Sequence, residues 1–125
     1  MSHIVTLKVE VQDFEAISAA CRRMKLQEPV HGKAVLFEKE VEGVIVQLPE
    51  WLYPIVCDLS EKQIKYDNYN GSWGDEKHLN RFVQLYGVEK ARLEARRKGY
   101  SFEEQELEDG QIKAVIGLGS DDMAT

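Results

Sequence analysis

Residues 44–66, VIVQLPEWLYPIVCDLSEKQIKY, carry the pattern on which the fold turns. Val44, Val46 and Leu48 alternate with their neighbours. Pro49 and Pro54 then bracket Trp51, Leu52 and Tyr53. Ile55, Cys57 and Leu59 resume the alternation, and Ser60-Glu61-Lys62 turns the chain into Ile64 and Tyr66. Apolar residues at every second position mark strands with one buried face. Proline cannot donate to a central ladder, so the stretch from Pro49 to Pro54 reads as a connection or a sheet edge.

The pattern extends upstream. Val35 and Phe37 alternate with charges, and Glu42-Gly43 predicts a turn into the strand of Val44. At the start of the chain Val5, Leu7, Val9 and Val11 alternate with polar residues, which predicts a first strand. Asp13 is placed to cap a helix that carries Phe14, Ile17, Ala20, Cys21 and Met24 at helical spacing. Arg22, Arg23 and Lys25 suit the negative end of its dipole, and Pro29 stops it.

Downstream, Asp67 to Gly74 is the least regular segment. Asp75 predicts the N-cap of a second helix of about 22 residues that ends at Gly99, a left-handed C-cap. Leu79, Phe82, Val83, Tyr86 and Leu93 share one face of it, while Leu85 and Val88 fall off that face. Tyr100 and Phe102 begin a strand. Asp109-Gly110 signals a two-residue hairpin, and Ile112, Ala114, Ile116 and Leu118 alternate beyond it. Tight closure there sets Leu107 opposite Ile112 and Glu106 opposite Lys113. The expected fold is α+β: a mostly antiparallel sheet with two helices, one long, packed on one face, and a C-terminal β-hairpin. Residues 1–119 are expected to form a single domain, followed by a tail at 120–125.

Composition bounds the function. The chain has 125 residues, 43% hydrophobic and 30% charged, which suits one globular domain. No apolar run approaches the about 20 residues of a spanning helix, so no membrane association is expected. Met1-Ser2-His3 lacks the basic start and apolar core of a secretory signal, which predicts a cytoplasmic protein. A net charge of −6 works against nucleic-acid binding. The basic group Lys90, Arg92, Arg96, Arg97 and Lys98 is spread around a helix with Glu89 and Glu94 interleaved, as on a solvated surface.

Several segments together resemble a known family. These are the opening Met1-Ser2-His3 with its strand and Asp13, the helix with Gln84-Leu85-Tyr86, then Lys98-Gly99-Tyr100 and Glu108-Asp109-Gly110-Gln111-Ile112. They resemble the hypothetical chloroplast reading frame thirty-five family, shared by plastids, cyanobacteria and other bacteria. The segment Tyr66 to Asp75 looks like its bacterial branch. The resemblance covers most of the chain, loosely between Gln27 and Ile64. It implies a shared fold and brings no catalytic residues with it.

No catalytic constellation stands out. There is no GxSxG, glycine-rich phosphate loop or HExxH. Cys21 and Cys57 sit on apolar faces and read as packing residues, and His3, His31 and His78 lack metal-ligand spacing. No cofactor or metal is expected. His78, in the first turn of the long helix, is expected to stay neutral and bond locally. The best candidate is the loop 66–75. In it Tyr66, Tyr69, Asn70, Trp73 and Asp75 combine aromatic rings, amides and turn glycines, a composition suited to meeting a partner. The structural alternative is a loop whose Asn70-Gly71 turns at positive φ while Trp73 folds onto the core. Leu85 and Val88 are a second candidate, a partner surface on the long helix. The function expected is a non-catalytic interaction or accessory module that engages a protein partner or a second copy. The competing reading is a small-molecule binder or enzyme using the loop 66–75, for which a concave pocket with a shielded carboxylate, Asp67 or Asp75, would speak.

Overall fold

The computed structural model describes residues 4–117, so the expected tail at 120–125 and His3 lie outside the described residues. Among the described residues the chain forms seven strands and two α-helices, an α+β fold. The elements run β1 (Val5–Lys8), α1 (Phe14–Arg23), β2 (Val30–Leu36), β3 (Lys39–Val46), β4 (Ile55–Asp58), β5 (Gln63–Tyr66), α2 (Glu76–Arg97), β6 (Ser101–Glu106) and β7 (Ile112–Gly117). They group into two compact units that divide inside α2, one reaching to Tyr86 and one starting at Gly87.

The first unit holds a five-stranded sheet of order β1-β5-β4-β3-β2, antiparallel throughout. Val44, Val46, Ile55, Cys57 and Ile64 fall on one face and are buried. Helix α1 meets this face: its Cys21 lies close enough to Cys57 to add to the burial that disfavours ionisation of the Cys57 thiol. Asp13 caps α1 as the sequence indicates, its Oδ1 accepting from the amides of Glu15 and Ala16 at 3.0 and 3.4 Å. Ala16, Ile17, Ala20 and Cys21 are buried, but Phe14, the first helical residue, is exposed. The phenol oxygen of Tyr86 in α2 accepts from the amides of Gln12 and Asp13 at 2.9 and 3.2 Å and donates to the Glu10 carbonyl at 3.2 Å. That bond set anchors the first half of α2 to the chain entering α1. On the opposite sheet face Leu36, Val41 and Val56 form a smaller cluster with Ile4, Ala34 and Tyr53.

Two sequence expectations change here. The chain turns at Phe37-Glu38, between Leu36 and Lys39, and not at Glu42-Gly43, which lies within β3. Gly43 is required by close approach: a Cβ there would stand 2.6 Å from the Cys57 carbonyl oxygen. Because side-chain direction alternates, the buried member of this stretch is Leu36, while Val35 and Phe37 are exposed.

In the second unit α2 closes at Gly99, φ +74°, where the Tyr100 amide donates to the Ala95 carbonyl at 2.8 Å, the pattern of a Schellman cap. The β6–β7 ladder is regular from Ser101↔Gly117 to Glu106↔Ile112. Its register differs from the tight closure: Lys113 stands opposite Gln105, and Ile112 opposite Glu106. The Gly110 amide donates to Leu107 at 3.0 Å and the Leu107 amide to Gln111 at 2.7 Å, so the loop holds a third residue, with Gly110 at φ +87°. Arg92 of α2 stands 4.7 Å over the Phe102 ring and pairs with Glu104, tying helix to hairpin.

Candidate functional site

The segment after β5 is irregular because its polar groups are satisfied locally rather than in a ladder. The Asn68 carbonyl accepts from the amides of Gly71 and Trp73 at 3.0 and 2.9 Å, and its side-chain amide donates to the Gly74 carbonyl at 3.1 Å. Asp67 is buried, and its Oδ1 accepts from the Tyr69 amide at 3.1 Å. Between them the chain makes a single 3-10 turn, Tyr69–Gly71. Tyr69, Asn70 and Gly71 have φ of +48°, +54° and +96°, so the Asn70-Gly71 turn has the expected handedness and starts one residue earlier.

The loop is held against a second segment far away in sequence. The Leu52 amide donates to the Trp73 carbonyl at 2.8 Å, and the Trp51 indole nitrogen donates to the Asp75 carbonyl at 3.0 Å. Trp51 lies on Gly74 so closely that a Cβ at that position would sit 2.3 Å from its ring. The same indole meets Tyr66 edge-on, ring centroids 5.7 Å apart. Trp51 and Tyr66 are therefore a buried clasp, and burial pushes the Tyr66 phenol above its ordinary pKa, with the Glu76 carboxylate adding to the effect. Asp75 serves as the cap of α2, its Oδ1 accepting from the Lys77 amide at 2.9 Å.

Trp73 is different. It is half-buried and lies at the centre of three rings: Tyr69 at 4.7 Å, Tyr53 edge-on at 5.5 Å and Phe37 stacked at 5.6 Å. Phe37 comes from the β2–β3 turn and Tyr53 from the proline-bracketed connection, so three chain segments meet here. Phe37 is 39% exposed and Tyr69 43%, with Leu52 also exposed nearby in the chain. Such spacings are those of favourable aromatic pairs, and the outer rings still present apolar surface to solvent.

No family model matches this chain. Neither a curated protein nor a solved structure matches it.

The geometry separates the expected residues into two groups. Tyr69 and Trp73 belong to the ring cluster and Asn70, next to Tyr69 in the chain, is exposed, while Tyr66 packs on Trp51 and Asp75 caps α2. Sequence reasoning missed Phe37 and Tyr53. The signal for Tyr53 was its place between two prolines, where an aromatic has no sheet to enter; Phe37 offered none, because its pattern read as strand. Leu85 and Val88 do not form a surface. Leu85 is 2% exposed and Val88 8%, so α2 is buried over a wider arc than one apolar stripe.

The concave region beside the loop, about 640 Å³, is lined by Glu50, Trp51, Leu52 and Gly71 to Asp75. Neither Tyr69 nor Asp67 lines it, and the carboxylate that does, Asp75, is exposed. A larger open cleft of about 880 Å³ lies elsewhere, between Ile4, Thr6, Glu38, Lys39, Asp58 and Lys65 among others. The shielded carboxylate of the loop, Asp67, whose Oδ2 is buried without a hydrogen-bond partner, does not line this region. Burial pushes the Cys21 thiol up to about 11, assisted by Glu28, and raises Cys57 further, which keeps both protonated at neutral pH. The His78 Nε2 is buried 3.9 Å from the Glu50 carboxylate, beyond hydrogen-bond reach, so it does not bond locally as expected. Among the described residues no three metal-ligating side chains gather.

Proposed function

We propose that this chain is a non-catalytic protein-interaction module of the hypothetical chloroplast reading frame thirty-five family. In this reading it works in the cytoplasm and meets its partner through Phe37, Tyr53, Tyr69 and Trp73. The observation that supports it is the ring cluster on Trp73, with Phe37 and Tyr69 still substantially exposed. Rigid aromatics lose little conformational entropy on binding and often anchor interfaces, with a half-buried ring at the centre and polar groups at the rim. Asn70, Glu38 and Glu50 are exposed polar residues next in the chain to these segments. Both cysteines are buried and protonated at neutral pH, which is consistent with a role that needs no nucleophile.

The test is purification of the tagged chain from its native cell at low salt, with mass spectrometry of what accompanies it. A stoichiometric protein partner that disappears in the Phe37→Ala/Tyr69→Ala variant, while amide spectra report an intact sheet, is the expected result. A bound metabolite retained by that variant, with no protein partner, would overturn the reading.

A further inference from the structure

Strand β2 ends the five-stranded sheet, and among the described residues only β3 pairs with it. The register settles what its free side presents. Leu36↔Lys39 closes a two-residue turn, so this pair exchanges both main-chain hydrogen bonds. In an antiparallel ladder bonded and non-bonded pairs alternate. The backbones of Leu36, Ala34, Gly32 and Val30 thus face β3, and the amides and carbonyls of Val35, Lys33 and His31 point away from the sheet. Three donors and three acceptors line one edge in register.

Sheet edges are ordinarily blunted by short strands, prolines, bulges or several charges. The opposite edge, β1, has four residues; β2 has seven, with no proline inside and Lys33 as its one permanent charge. Val30 is 56% exposed and Val35 54%. We infer that this edge accepts an extended segment of a partner protein as a sixth strand, acidic where it faces His31 and Lys33 and apolar at alternate positions.

The side chains that flank the edge specify that chemistry. His31 and Lys33 stand on one sheet face, where β3 sets Val44 and Glu42 opposite them; an added strand would set its own residues about 5 Å away on the other side, where opposite charges stabilise. Ala34 and Leu36 stand on the other face and belong to the cluster with Val41, Val56 and Tyr53. Apolar side chains of an added strand would extend that cluster. The Lys33 charge argues against a second copy of this chain. Antiparallel self-pairing with full overlap puts Lys33 opposite Lys33 of the second copy, and in-register parallel pairing does the same. Sliding by two residues in one direction pairs His31 with Lys33. Sliding in the other gives up the Val30 end of the ladder. This inference rests on the edge alone and stands or falls separately from the aromatic surface.

The experiment uses the isotope-labelled chain and a synthetic peptide, Ile-Thr-Val-Glu-Ile-Glu-Val, with both glutamates replaced by lysine in a control. The glutamate peptide is expected to slow hydrogen exchange at the His31, Lys33 and Val35 amides, and the lysine peptide to bind at least about tenfold more weakly. Val35→Pro removes an outward donor without touching the β3 ladder, and is expected to weaken the glutamate peptide by at least about tenfold. Lys33→Glu, which leaves the backbone unchanged, is expected to reverse the preference between the two peptides. Exchange unchanged by either peptide, or equal binding of both, overturns the inference. A concentration-dependent dimer that Val35→Pro dissolves also overturns it, because the edge then belongs to a second copy.

Discussion

The β2–β3 hairpin turns on Phe37-Glu38, and the β6–β7 hairpin turns on Glu108-Asp109-Gly110. The second has the residues a turn asks for: Gly110 takes φ +87° without a Cβ penalty, and the Asp109 carboxylate accepts from the Gln111 amide at 3.0 Å. The first has neither. Phe37 holds φ +62° while Glu38 stays at negative φ, the pattern of a turn whose first position glycine normally takes. A bulky residue there costs about 1–2 kcal/mol. Yet β3, which follows the poor turn, buries Val41, Val44 and Val46, whereas no residue of β6 or β7 is fully buried.

Each hairpin therefore draws its stability from a different source. A two-stranded ribbon is marginal alone, so β6–β7 depends on favourable turn chemistry and on Arg92 against Phe102 and Glu104. The β2–β3 hairpin continues into a five-stranded sheet, and its turn residue stacks on Trp73 at 5.6 Å. Aromatic pairing contributes about 0.5–1.5 kcal/mol beyond burial, enough to offset much of the strain at Phe37.

Hydrogen exchange is the measurement most able to break this contrast. The amides joining β3 to β4 should exchange at least about 100-fold more slowly than those joining β6 to β7, because local opening follows burial. Equal protection would mean that the two hairpins open as one unit. Glycine replacements sharpen the contrast further. Gly43→Ala should cost at least about 2 kcal/mol in urea unfolding, because the new methyl meets the Cys57 carbonyl at 2.6 Å. Gly110→Ala, with nothing within 4 Å of the new methyl, should cost about 1 kcal/mol, the conformational penalty alone. The smallest effect separates strain from stacking at one position. Phe37→Ala keeps the strained backbone and loses the ring, for an expected loss of about 1 kcal/mol; Phe37→Gly also relieves the strain and should lose less. A Phe37→Gly variant less stable than Phe37→Ala would show that the turn carries no such strain.

The helices were the most legible part of the molecule. Asp13, Asp75 and Gly99 each act on groups within a few residues of themselves, and each caps the helix end its type and position indicate. The C-terminal hairpin was legible as an element but not in register, since a third loop residue shifts every cross-strand pair. At Leu36 the alternation was read one residue out of phase, because Val35 and Phe37 are as apolar as the residue that is buried between them. The candidate loop was found by its composition, but the surface it belongs to was not.

The α+β class, both helices, the C-terminal hairpin and the handedness at Asn70-Gly71 thus follow from the order of residues alone. Caps and turns are satisfied by neighbours in the chain, so local residue types suffice. The strand order, the covered face of β2 and the meeting of Phe37, Tyr53, Tyr69 and Trp73 from three separate segments emerge only in the folded chain. Those depend on partners distant in sequence, and a periodic pattern that specifies one buried face carries no record of what covers it.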